Sequence, residues 1–423
     1  MQRVIYRGLT WASWAVALPW LGWKRLRGGS EWRERFGELP DCKGGLWVHA
    51  ASVGEVAAAS PLVRALSELG ERLLLTALTP TGRRSAGRLK GPEVSVAHPP
   101  LDLPPFVGRA LESVSPRALL VVETELWPNL LSEAAYRGVR VAVVNGRLSE
   151  RSVARYGSPL FPLRAIRDSL SLVACRSEAD RERFEELGFA RDVLEVTGST
   201  KFDAAPEPPA DEERAAMREE LLVDAGDRVV VFGSVRPAEE AAVLDAVAGL
   251  VESGARAIVA PRHLDRTAHL SKGLRARGIG FRLRSQGPEG GGRPPVTVLD
   301  TTGELRLVYS LADVAFVGGT LEPYGGHNPL EPAAMGVPVV FGPHTSSCAY
   351  EAALLVERGA AFRVEDARGL GGTLASLLED EAARTRAGAR ALEAVSSGRG
   401  ATRRTIELLR GKGILTGGPV ERG

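Results

Sequence analysis

Leu46-Trp-Val-His-Ala-Ala-Ser-Val-Gly-Glu-Val56 is the stretch that decides the fold. Leu46, Trp47 and Val48 make a buried strand, Ser52, Val53 and Gly54 turn the chain, and a helix-period segment follows over 55–69. A strand that ends in a tight turn and feeds a helix opens a parallel α/β sheet, whose ligands gather at the strands' carboxyl ends. Glu55 falls there, in the first helical turn. Two readings of it stay open on this segment alone: a carboxylate that complements the helix dipole, and an acid or base that takes part in chemistry.

Working outward, short apolar runs keep alternating with helix-period segments, the signature of parallel sheets covered by helices. Strands are predicted at 46–49, 72–77, 93–97, 118–123, 140–145 and 172–175, and a further helix at 130–137. The pattern breaks at Phe202-Asp-Ala-Ala-Pro-Glu-Pro-Pro-Ala-Asp-Glu-Glu213, which is rich in proline and acid and reads as a linker. It resumes with strands at 228–233, 256–260, 296–299, 313–317 and 337–341, and the glycine- and proline-rich segment 285–295 reads as a surface loop. The organisation predicted is two Rossmann-like domains, 29–203 and 216–423, joined by a linker at 204–215, with the functional cleft between them.

The chain has 423 residues, enough for two or three domains, and 44% of them are hydrophobic. A net charge of +2 argues against a nucleic-acid binder. Cys42, Cys175 and Cys348 lie far apart without a Cys-x-x-Cys pair, so neither a disulfide framework nor a thiolate metal site is signalled, and a reducing compartment fits best. Neither Gly-x-Gly-x-x-Gly nor a Walker pattern occurs, which removes support from nicotinamide and P-loop chemistry. There is no Asp-x-Asp, and the six histidines are scattered, so no metal site is expected.

Residues 1–28 are different. They carry Arg3, Arg7, Lys24, Arg25 and Arg27 and no acid, and the uncharged run 8–23 holds Trp11, Trp14, Trp20 and Trp23. As a helix that run would span about 24 Å, short of the roughly 30 Å hydrocarbon core. Interfacial tryptophans with a basic flank read as a monotopic anchor on a cytoplasmic leaflet. A cleaved signal peptide, with Ala15-Val-Ala17 as its processing site, and a buried apolar helix are the other readings.

The second half holds Phe316-Val-Gly-Gly-Thr320, then Gly325-Gly-His-Asn-Pro-Leu-Glu-Pro332. Glycines let backbone approach a ligand closely, the free amides of a helix opened by Asn328 suit a phosphate, and Glu331 suits a ribose diol. Plain helix capping by Asn328, Pro329 and Glu331 is the competing reading.

These landmarks, with Thr79-Pro-Thr-Gly82, Glu123-Thr-Glu-Leu-Trp-Pro-Asn129, Asn145-Gly-Arg-Leu-Ser149, Thr197-Gly-Ser-Thr-Lys-Phe-Asp203, Pro261-Arg-His263 and Thr302-Gly-Glu-Leu305, follow one another over nearly the whole chain. In this order they resemble the Kdo transferases of lipopolysaccharide synthesis, which move 3-deoxy-D-manno-octulosonic acid (Kdo) from CMP-Kdo to lipid A precursors. The resemblance implies an inverting GT-B glycosyltransferase at the cytoplasmic face of the inner membrane, working without metal or cofactor. It implies Glu55 as general base, with Glu125 and Lys201 supporting the transition state. For the CMP donor it implies Pro261, Arg262, Thr302, Gly303, Glu304, Asn328, Pro329, Leu330 and Glu331. A GT-B enzyme that takes a UDP-sugar, and an inactive binding homologue, are the alternatives. The chain departs from the family pattern at Gly233-Ser-Val-Arg-Pro-Ala-Glu-Glu240, where Arg236 stands at a histidine-like position, and at Ser346-Ser-Cys348.

Overall fold

The computed structural model describes residues 27, 29–159, 161–287 and 292–415. They form two compact units. One runs to Ala204 and takes up the chain again from Gly398, and the other is Ala205–Ser397.

In chain order the first unit's strands are Leu46–Ala50 (β1), Leu73–Ala77 (β2), Val94–Ala97 (β3), Ala118–Val122 (β4), Arg140–Gly146 (β5), Leu170–Cys175 (β6) and Leu194–Val196 (β7). They make one parallel sheet in the order β3-β2-β1-β4-β5-β6-β7. The inner strands are buried along both faces, which is why they read as unbroken apolar runs. Alternate side chains serve two cores: Trp47, Leu119, Val121, Val141 and Val143 pack on one side, and Leu46, Val48, Leu120, Val122 and Ala142 on the other. The order reverses at β1, which lies between β2 and β4, so the loops after β1 and β4 diverge and leave a crevice at the strands' carboxyl ends.

The second unit repeats the plan with Val229–Val235 (β8), Arg256–Pro261 (β9), Phe281–Leu283 (β10), Val296–Val298 (β11), Val314–Val317 (β12), Val339–Phe341 (β13) and Ala361–Arg363 (β14). All are parallel, in the order β10-β11-β9-β8-β12-β13-β14, and this order reverses at β8.

Three differences from the sequence reading have physical causes. The sequence reading does not anticipate β7, β10 and β14, because each has three residues and ends a sheet, with polar or exposed positions that break the apolar run. The expected linker 204–215 already contains the start of a helix, Asp211–Glu220, whose acid-rich first turn favours helix while only Met217 is buried, so no apolar period marks it. The expected second domain running to 423 stops at Ser397, and the helix Ala401–Gly411 joins the first unit. Asp203 caps that helix by accepting from Gly400 N and Thr402 N, both at 2.6 Å, and Arg404 Nε donates to Thr197 O at 2.7 Å.

The expected anchor, 1–28, lies outside the described residues except for Arg27. Among the described residues no helix is long and apolar enough to cross a membrane.

Candidate active site

The helix after β1 spans Val53–Glu68, with Ser52 as its N-cap. Glu55 sits three residues past the cap. Ser52 Oγ donates to Glu55 Oε1 at 2.9 Å, and Ala51 N donates to Oε2 at 2.6 Å. Both bonds favour the ionised form, yet its pKa is pushed up to about 7, first by burial and then by the charge of Glu125, with Glu123 adding to it. A carboxylate poised near neutrality at a sheet's reversal point is suited to moving a proton.

Glu125 follows β4. Its Oε2 accepts from Trp127 Nε1 at 2.7 Å, and burial raises its pKa against the pull of that bond and of Arg155. Trp127 stands edge-on to His49, ring centroids 4.5 Å apart. His49 is buried on β1 and bonded through Nδ1 to Thr76 Oγ1 at 3.0 Å, and burial drives its pKa down to about 3, so it is a neutral wall and not an acid.

Between these elements lies a residue that the sequence reading passed over. Glu123 is buried at the end of β4 with φ +59, a left-handed conformation that a glutamate adopts only under constraint. It pairs with Arg147 Nε at 2.5 Å and with Lys201 Nζ at 3.5 Å. Lys201 belongs to the short helix Thr200–Asp203. That helix is held by Thr200 Oγ1, which donates to Ala58 O at 2.7 Å, and by Thr200 N, which donates to Asn145 Oδ1 at 3.0 Å. Glu55, Glu125 and Lys201 are thus gathered in the first unit, with Glu123 as the link. The signal for Glu123 was its place inside Glu123-Thr-Glu125; its partners come from distant loops.

A cavity of about 320 Å³ adjoins this group, lined by Leu78, Pro100, Leu101, Asp102, Trp127 and Pro128. Another, of about 410 Å³, lies where the helix Val53–Glu68 ends against the helix Ala401–Gly411, and none of the expected site residues lines it.

In the second unit the end of β9 and the loops after β9, β11 and β12 carry the expected donor residues. Pro261 ends β9 opposite Val235, and the exposed Arg262 is held by its N donating to Val235 O at 2.9 Å. Gly318 packs so closely that a Cβ would stand 2.5 Å from Ser234 O, and Gly326 needs φ +84. Glu239 organises this region: its buried carboxylate accepts from Gly319 N (2.6 Å), Thr320 N (2.8 Å), Leu321 N (2.8 Å) and Arg236 N (3.0 Å). Burial raises the pKa of Glu331, while Arg262 and an Asn328 hydrogen bond pull the other way. Asn328 Oδ1 also accepts from Leu330 N at 3.1 Å.

One expectation about this half changes. The helix expected to open at Asn328 is a single turn, Leu330–Ala333, capped at Pro329, too short to gather the dipole that a phosphate would use. Thr302 and Gly303 are exposed in the loop after β11, but Glu304 is occupied by Arg284 NH2 at 2.8 Å and by the Thr301 hydroxyl. Among the described residues no group of three or more His, Cys, Asp or Glu could hold a metal ion.

The fold matches a glycosyltransferase from Rickettsia africae, with a TM-score of 0.60 and 10% identity, covering 88% of this chain and 98% of that one. It also matches the UDP-GlcNAc 2-epimerase of Neisseria meningitidis, with a TM-score of 0.54 and 13% identity, covering 87% and 100%. Two parallel α/β units of this kind resemble the GT-B glycosyltransferase fold. Residues 30–204 match the family model of the 3-deoxy-D-manno-octulosonic-acid transferase (kdotransferase). The transferase of that name from Bordetella pertussis is 34% identical over 434 residues, 97% of this chain and 99% of its own, and the one from Haemophilus influenzae is 34% identical over 371 residues, 86% of each. The chain belongs to the 3-deoxy-D-manno-octulosonic acid transferase family.

Proposed function

We propose that the protein transfers Kdo from CMP-Kdo to a lipid A precursor with inversion, the first unit receiving the acceptor and the second the donor. The observation that carries this reading is Glu55, a carboxylate with its pKa near 7 held beside Glu125 and Glu123 at the reversal point of the first sheet. Glu55 takes the proton of the acceptor hydroxyl as its oxygen attacks the anomeric carbon of Kdo. The bond from that carbon to the phosphate oxygen breaks, and CMP leaves with the electron pair. Lys201, oriented by Glu123, and Glu125 with its Trp127 contact shape the surroundings of the attacking hydroxyl. The cavity lined by Trp127, whose indole bonds Glu125, offers a place for the acceptor sugar.

Arg262 answers the donor phosphate, Asn328 and Glu331 the nucleotide, and the exposed Thr302-Gly303 loop lies at the carboxyl edge of the same sheet. The basic, tryptophan-rich residues 1–28 support association with the cytoplasmic face of the inner membrane. The test is transfer from CMP-Kdo to a tetraacylated lipid A precursor, with products weighed by mass spectrometry. Addition of one or more Kdo residues is expected from the native enzyme and none from Glu55→Gln. Full activity of that variant would remove Glu55 from the role of base.

A further inference from the structure

Arg236 lies at the carboxyl end of β8 and is held at four points. Its N donates to Glu239 Oε2 at 3.0 Å, its Nε donates to His327 Nε2 at 3.2 Å, its NH1 meets His263 Nε2 at 3.3 Å, and the Tyr324 ring centroid stands 5.2 Å from its Cζ. A guanidinium has five N–H groups and no acceptor, so the imidazole nitrogen facing it must accept, and buried His327 is a neutral ring with its proton on Nδ1. Burial first, and then the charges of Arg262 and Arg236, hold the His327 pKa down to about 4, in keeping with its role as acceptor. The two histidines therefore act as brackets for the arginine.

What they bracket has no protein counter-ion. Other arginines of this unit are matched: Arg266 forks onto Glu240 at 2.8 Å through both nitrogens, and Arg284 meets Glu304. Among the described residues neither Arg236 nor Arg262 has a carboxylate at ion-pair distance, though both charges bear on His327. Glu331 registers Arg262, but burial pushes that carboxyl toward its neutral form. Two cations converging on one imidazole repel each other unless an anion joins them. Three N–H groups of Arg236, one on NH1 and two on NH2, have no partner among the described residues, while Nε, the other NH1 hydrogen and one face are fixed. A fork pre-organised in this way suits an oxyanion.

We infer that Arg236 is a second anion-binding residue of the donor site, sharing with Arg262 the phosphate and the sugar carboxylate of the donor. This rests on the donor reading given above, since a CMP-linked keto-acid sugar presents two separate anions. Arg236 takes one of them and Arg262 the other, which sets this site apart from one built for a neutral sugar nucleotide.

The test uses the full chain with Arg236→Gln and Arg236→Lys, checked for folding by thermal melts. Calorimetric titration with CMP and with cytidine is combined with steady-state kinetics on CMP-Kdo. The glutamine variant is expected to raise KM for CMP-Kdo about ten- to hundredfold with a smaller change in kcat, and lysine, which keeps the charge but loses the fork, to recover part of it. If CMP affinity falls while cytidine affinity holds, Arg236 serves the phosphate; if CMP affinity holds while KM for CMP-Kdo rises, it serves the carboxylate. Unchanged KM and CMP affinity in a folded glutamine variant would overturn the inference and leave the donor reading intact. Failure of the native protein to bind CMP at all would overturn both. Should the glutamine variant melt early, the lysine variant carries the test, and native KM in it would be the contrary result.

Discussion

A glutamate in the first turn of a helix is normally a stronger acid than the free residue, because the dipole and the amides favour its charge. In Glu55 burial, Glu125 and Glu123 outweigh the bonds from Ser52 and Ala51, and the pKa rises to about 7. Since the base must be ionised to accept a proton, kcat/KM for transfer is expected to climb with pH through a midpoint near 7 and then level off. Glu125→Gln removes the second-largest cause of the shift, so the midpoint should move to lower pH; an unmoved midpoint would show that burial alone sets it. The same shift bears on stability. The folded protein binds a proton at Glu55 more tightly than the unfolded chain does, so this group favours folding most below about pH 4.5, and the contribution is lost as pH rises through about 7. At about 1.4 kcal/mol per pH unit the loss is roughly 3 kcal/mol. Glu55→Gln should therefore be the more stable protein at pH 8 while transfer falls by about 10²–10⁴. Urea denaturation at pH 5 and pH 8 checks this, and equal stability gains at the two pH values would contradict the buried-charge explanation.

Elements place these residues, and here the sequence is informative in some places and silent in others. The inner strands were legible because burial on both faces demands continuous apolar runs, as in Ala118–Val122. The helix start at Ser52 was legible because a cap has a local signature, and so Glu55 was found. Glu123 was not, because what distinguishes it is tertiary: a left-handed backbone at the end of β4, with partners brought in after β5 and from Thr200–Asp203. Lys201 was reached through family resemblance alone, since nothing in its spacing points to Glu123. Glu239 was missed for a related reason, being one acid of a pair whose task is to accept four backbone N–H groups from the loops after β8 and β12. Its substitution by glutamine keeps the shape but turns an NH2 group toward those donors. At about 1–3 kcal/mol for each group left unsatisfied, the cost should be about 3 kcal/mol, accompanied by a rise in donor KM as the glycine loop loosens. Thermal melts and donor kinetics on Glu239→Gln test it; native melting with native KM would show that the loop holds its shape by itself.

At the scale of the whole chain, the first unit is not continuous in sequence. The helix Ala401–Gly411 and the residues after it return to it, and Ile406, Leu409, Ile414 and Leu415 are buried in the same core as Leu46, Val48 and Leu120. Burying such a side chain is worth about 1.5–3 kcal/mol, so the four together supply roughly 6–12 kcal/mol, which is comparable with the net stability of a domain. The second unit owes nothing comparable to distant sequence: Ala205–Ser397 holds its whole seven-stranded sheet and its own cores. Two fragments should then behave differently. Residues 205–397 alone are expected to unfold in one cooperative transition. Residues 1–204 alone are expected to lack one, and to gain it when 398–423 are supplied, either as a peptide or fused through a short linker. The reason is specific, because Asp203 and Thr197 end the first stretch with unmet partners for Gly400, Thr402 and Arg404. Circular dichroism melts of the fragments decide the matter. Cooperative folding of 1–204 without the returning helix would mean that its four apolar side chains cover a core already sufficient, and that removing the helix should leave the arrangement of Glu55, Glu125 and Lys201 undisturbed.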